Sequence, residues 1–239
     1  GSTLSVKNSG ELILQSGVTI NDSSLNFTSS TFKPSGTVSL TGSSHFTFDS
    51  GSSVMLEGDS TLSQSGSVTW PSPDLNGNAL TLNVDNMTLD GALSIGTGES
   101  LSSSSSNLSL SSTLTIDNGG ILSSDNGSVT ISSGLALNNG GTLSSGSGDV
   151  EISGAITLDG DLLQGGGILN LISGGSVGTG GRLDISSSEL KLGSALSITG
   201  TLAVNSASYW SGWVGTLDLS AGTLESSGGT LSLDQFTTG

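Results

Sequence analysis

Apolar residues recur in alternating pairs along most of the chain. In the stretch 107–127 the pairs are Leu108 and Leu110, then Leu114 and Ile116, followed by Ile121 and Leu122, with Ser, Asn, Asp and Gly between them. Alternation of this kind, closed off by turn-forming residues, predicts short strands with one buried face, and three of them fit into the stretch. The next stretch, 128–148, repeats the arrangement with Val129 and Ile131, Leu135 and Leu137, then Leu143. Met87 and Leu89 precede Leu108 and Leu110 by 21 positions, and Val150 and Ile152 follow Val129 and Ile131 by the same interval.

Extended in both directions, the register gives eleven units, beginning at Thr3, Ser24, His45, Ser67, Asn86, Asn107, Ser128, Asp149, Ile168, Glu189 and Thr216. The unit from Glu189 to Gly215 is then 27 residues long, the longest of all. Three strands per period of about 20 residues indicate a solenoid in which each unit templates the next. The predicted fold is all-β: a parallel β-helix of about 11 coils of about 21 residues, with equivalent strands about 4.8 Å apart. Right-handed coiling is expected from the preference of parallel crossovers. Residues 1–2 read as a cloning scar, and 3–239 as a single β-helix domain, a fragment of a longer repeat protein.

Composition alone would suggest a disordered linker, since Gly occurs 38 times and Ser is more frequent still. Apolar residues make up 32% and sit in register, which a linker does not require. The Ser and Gly content therefore belongs to corners. Asp90, Ser111, Ser132 and Ser153 fall just after the first strand of successive units, where short polar side chains can bond turn backbone. Gly119-Gly120 and Gly140-Gly141 mark a second corner, where positive φ is expected, and Gly127 and Gly148 a third.

The net charge of −16, from 4 basic and 20 acidic residues, argues against nucleic acid, whose phosphates need Lys and Arg. No stretch approaches the ~20 apolar residues of a membrane-inserted helix. Without cysteine there is neither a disulfide framework nor a thiolate metal site.

Chemistry has to be sought on the outside of such a rod. The architecture is similar to that of pectate lyases and polygalacturonases, but Lys7, Lys33, Arg182 and Lys191 are scattered, no Asp-Asp pair occurs, and His45 sits in Ser-His-Phe. The chain therefore reads as no enzyme. Asp117 and Asp159, two rungs apart with Asn138 between them, and nearby Asp161 read as a stacked Asp/Asn corner, with a calcium site as the sharper alternative; no other cofactor is implied. Trp70 occupies an inward position and His45 a surface position at a strand start. The segment NSASYWSGWVG, 205–215, carries Tyr209, Trp210 and Trp213 in the unit that breaks the length rule, on a chain with 4% aromatics. These three are the candidate ligand-binding residues, either as exposed rings suited to sugars or as a cover over a widened core.

The pattern x-φ-x-φ-S-x-x-φ-x-φ-x-x-G-G (φ, apolar) resembles the repeat regions of bacterial surface exoproteins, namely filamentous-haemagglutinin-like adhesins and autotransporter passenger domains. That resemblance implies a secreted β-helical shaft at the bacterial cell surface. It would be structural or adhesive, with a glycan or protein of a neighbouring cell and the adjacent coils of the full-length chain as partners. The alternative is a carbohydrate-binding or polysaccharide-degrading β-helix.

Overall fold

The computed structural model describes residues 2–206, 208–213, 216–219 and 221–227, and for 209–213 the backbone alone. Among these residues the structure is all strand and turn, and every strand pairing is parallel. The coil at the middle of the chain shows the plan. Strands Asn107–Leu110, Leu114–Ile116 and Ile121–Ser124 form three faces, and each pairs with its equivalent one coil later, Leu108 with Val129, Leu114 with Leu135 and Leu122 with Leu143. The fold is a parallel β-solenoid of about ten turns with a repeat of about 21 residues and three parallel sheets. At about 4.8 Å per rung, ten turns span roughly 50 Å.

The strands Thr31–Thr41, Ser60–Pro71 and Ala79–Asp90 each run around a corner and serve two faces. The third face pairs without a break from Val18–Asn21 to Thr223–Ser227. The first face is interrupted once, after Thr3–Lys7, Ser24–Thr28 and His45–Phe48, and resumes with Ser67–Pro71 against Asn86–Asp90.

Inward positions build one continuous core from Leu25 to Val204. Leu114, Leu135 and Ile156 stack on one another as expected, as do Leu110, Ile131 and Ile152. The third face departs from an all-apolar interior: Ser103, Ser124, Ser145 and Gln164 form a buried polar column in consecutive rungs. The serine hydroxyls are used locally, Ser124 donating to the Gly127 carbonyl at 2.7 Å and Ser145 to that of Gly148 at 3.2 Å, whereas the Gln164 Oε1 is buried without a partner. Toward the N-terminal end the core becomes aromatic. Phe27 stacks on Phe48 at 4.7 Å, and Trp70, 1% exposed, meets Phe32 and Phe46 nearly edge-on.

Two devices let the coils lie this close. In the Gly119-Gly120 corner the first glycine has φ +78°, as the positive-φ expectation requires, whereas the second is needed for space. A Cβ on Gly120 would lie 2.3 Å from the carbonyl oxygen of Ile95, one coil below. Gly127, in the third corner, presses on the Ser106 carbonyl in the same way. The other device is a buried serine immediately before several first-face strands. Ser44, Ser106, Ser188 and Ser208 donate to the carbonyls of Ile20, Leu82, Gln164 and Ile185 of the preceding coil.

The final unit differs from its expected register. Tyr209–Trp213 lies on Glu189–Leu192, and Leu217–Asp218 lies on Leu196–Ile198 of the second face. The first-face strand after Glu189 therefore starts 20 residues on, at Tyr209 rather than at Thr216, and among the described residues no coil is 27 residues long. What remains of the irregularity is one extra residue in the strand, because Leu190 pairs with Trp210 and Leu192 with Trp213. Such a bulge bends a strand locally without opening a loop.

Candidate functional site

The aromatic segment is thus a strand of the sheet and not an inserted loop, which removes the argument from coil length for a binding role. The side chains of Tyr209, Trp210 and Trp213 lie outside the described residues. A signal for the strand start was present in the sequence: Ser208 stands before Tyr209 as Ser188 stands before Glu189, and the two serines meet in the same corner, the Ser188 N–H donating to the Ser208 hydroxyl at 3.4 Å.

The acidic candidates do not converge. The Asp117 carboxylate accepts from the Asn138 amide at 2.5 Å, which is the stacked Asp/Asn corner. Asp159, exposed in the next coil, lies across Gly178, where a Cβ would clash with its carboxylate. Asp161 sits in a third-face strand between Thr142 and Arg182. Among the described residues no group of three or more Asp, Glu, His or Cys side chains is placed to hold a metal ion. His45 is exposed at its strand start and Trp70 is core, both as expected.

Two of the four basic side chains, Lys33 and Arg182, clamp coils together, while Lys191 pairs with Glu189 of its own strand. Lys33 bridges Glu11 at 2.9 Å and Glu57 at 3.3 Å, one coil to either side. The hydrogen bond to Glu11 leads in raising its pKa, burial opposes it next, and the hydrogen bond to Glu57 adds to the rise. Arg182 contacts Asp184 at 3.1 Å and Glu225 at 2.8 Å, and the Glu225 bond leads in raising its pKa.

Sequence reasoning missed a groove of about 500 Å³ where the first-face ladder is interrupted. It opens between Phe46–Phe48 of one coil and Thr69–Pro71 of the next, and Pro71 has no N–H to donate across the gap. Phe46 and Phe48 are half-buried along it, Trp70 closes it from inside, and Asp49 and Asp90 stand at its edges. The Trp70 Nε1 is buried and has no hydrogen-bond acceptor. Asp49 accepts from the Ser52 hydroxyl at 2.6 Å and from the backbone N–H groups of Ser29 and Gly51. These bonds, led by Ser52, hold its pKa below the ordinary carboxylate value. The aromatic residues on which the groove depends were legible in the sequence, but the missing rung between them was not.

A second apolar hollow, of about 260 Å³, lies against the first described coil and is lined by Leu4, Leu12, Leu14 and Ile20 among others. No helix among the described residues is long and apolar enough to cross a membrane. Comparison of the chain with protein families, with curated proteins and with solved structures finds no match.

Proposed function

We propose that the chain is a non-enzymatic structural and adhesive segment of a secreted bacterial cell-surface adhesin, a shaft that spaces or presents binding elements. The observation that carries the reading is the unbroken array. One hydrophobic core runs from Leu25 to Val204, and the third-face ladder joins each described coil to the next. An object built this way gains length by repetition, each coil stabilising its neighbours, and length with stiffness is what a projecting shaft needs. The short polar residues on the outer faces and the spread of acidic groups suit solvent exposure on all sides.

The test is to display the segment between a surface anchor and a marker epitope on bacterial cells. The expected result is that the epitope becomes accessible to antibody at a distance that grows when coils 107–148 are duplicated. Cell attachment should appear with the segment and be lost without it. The alternative, a polysaccharide-degrading β-helix, requires release of soluble fragments from anionic polysaccharides by the purified chain. Fragment release, or marker accessibility indifferent to coil number, would overturn the shaft reading.

A further inference from the structure

The groove at the interrupted rung has a specific chemical character. Its apolar surface is aromatic, supplied by the half-buried Phe46 and Phe48 with Trp70 packed behind them, and the three ring centroids lie within 5.6–6.4 Å of one another. Its charge is of one sign: Asp49 and Asp90 border it, and no Lys, Arg or His is among its lining residues. Its volume, about 500 Å³, falls within the range of small-molecule sites. We propose that this groove binds a quaternary or alkylated ammonium group.

Three considerations select that class. Anions are repelled by the two carboxylates and by a chain of net charge −16. A saccharide needs directional partners, and both carboxylates here are already engaged, which leaves it chiefly the hydroxyls of Thr47, Ser50 and Thr69. Asp49 already accepts from Ser52, Ser29 and Gly51, and one oxygen of Asp90 accepts from the Ser111 hydroxyl at 2.9 Å. An organic cation asks for less direction: its methyl groups lie on aromatic faces, and its charge is met by ring quadrupoles and nearby carboxylates. The engaged bonds keep the Asp49 carboxylate ionised and in place, so the negative field is preorganised. The missing ladder rung is what opens the groove at this coil. Elsewhere on the first face, from Ser67–Pro71 to Tyr209–Trp213, strand pairing fills the space between successive coils.

The experiment is isothermal titration of the whole chain with choline and with 3,3-dimethylbutan-1-ol, a neutral molecule of the same shape. Choline is expected to bind saturably and the neutral analogue about tenfold more weakly or not at all. Two conservative variants separate the groove from the fold. Phe48→Leu keeps apolar bulk and removes a π face, and Asp90→Asn keeps an acceptor for Ser111 and removes a charge. Both are expected to melt near the parent temperature and to lose most choline binding. Vesicles of phosphatidylcholine form a further arm. Binding that Phe48→Leu abolishes assigns the lipid headgroup as the source, and choline binding without vesicle binding assigns a small soluble ligand. Equal affinity for the neutral analogue, binding unchanged in both variants, or saturation by maltose with no response to choline would each overturn the proposal.

Discussion

Replacing Gly120 by alanine separates the close approach of coils from the conformational freedom of glycine. Gly120 does not have positive φ, so an alanine there meets no backbone strain of its own. Its Cβ would instead lie 2.3 Å from the Ile95 carbonyl oxygen, 2.9 Å from the Ile95 carbonyl carbon and 3.0 Å from the Gly96 oxygen, against ordinary contacts of 3.4–4 Å. All three are backbone atoms, which cannot rotate away. Relief requires lifting the coil by about 1 Å on a spacing of about 4.8 Å. That strains the bond from the Asp117 N–H to the Ile95 carbonyl and the one from the Ile121 N–H to Glu99. Overpacking of this kind costs ~1–3 kcal/mol, and loss of one ladder bond adds about 1. Gly98→Ala is the matched comparison, with φ +79° and nothing within 4 Å of its Cβ. Left-handed backbone alone costs it ~1–2 kcal/mol. Thermal melting followed by far-ultraviolet circular dichroism should place Gly120→Ala below Gly98→Ala, each kcal/mol moving the midpoint by about 2–4 °C. If Gly98→Ala melts at the same temperature as Gly120→Ala or lower, the steric account of these corners is wrong.

Leu135→Asp places a charge between Leu114 and Ile156 at a site 2% exposed. It should cost more than about 4 kcal/mol and melt several coils together, and a parent-like melting curve would refute the register. Ser106→Ala leaves the Leu82 carbonyl and the Val84 N–H without their partner, an expected loss of about 1–3 kcal/mol, whereas Ser104→Ala on the exposed side should change little; equal losses would count against the serine staple. Asp49 has a depressed pKa, first through Ser52 and then through the Ser29 N–H, so its ionised form is favoured by folding. Its contribution is complete above the ordinary value of 3.8 and disappears as pH falls through the depressed one. The gap in melting midpoint between parent and Asp49→Asn should therefore hold from about pH 7 to 5 and close as pH falls below 3.8, and a gap independent of pH would contradict the assignment.

The fold was legible because a solenoid writes its period directly into the sequence. Where strands are three to five residues long and corners are uniform, as from Leu93 to Glu189, the alternation alone gives strands and partners. It failed at Tyr209–Trp213 because an aromatic run without an apolar-polar alternation hid a strand, and Leu217 and Leu219 supplied a false match six or seven residues later. The corner serine before Tyr209 was the better guide, since its role is set by a hydrogen bond to the coil below and not by hydrophobicity. The glycines were read in part for the wrong reason: Gly119 needs positive φ, but Gly120 and Gly127 need the absence of a side chain, which only neighbouring backbone reveals. The groove could not be foreseen, because strand-level patterning gives a pairing partner to every strand and has no term for a rung that fails to form.

The acidity of the chain also has a structural origin that composition did not disclose. Asp22, Asp49, Asp59, Asp85, Glu99 and Asp149 each accept a backbone N–H, of Ser43, Ser29, Ala79, Gly66, Gly77 and Ile168 respectively, from a neighbouring coil. At a corner the backbone turns away from its ladder, and an N–H left there needs an acceptor that reaches one rung without adding bulk. A carboxylate meets both conditions and binds the N–H more strongly than a neutral acceptor would. Repeated in several coils, such caps accumulate charge of one sign along the rod, and two of the four cations are placed where acids from different coils share them, Lys33 between Glu11 and Glu57 and Arg182 between Asp184 and Glu225. The same choice that closes the corners thus leaves an acidic, self-repelling surface. Repulsion of that kind opposes side-by-side association of rods while leaving the core and the ladders untouched, and it is the background against which an aromatic groove edged by Asp49 and Asp90 would attract a cation.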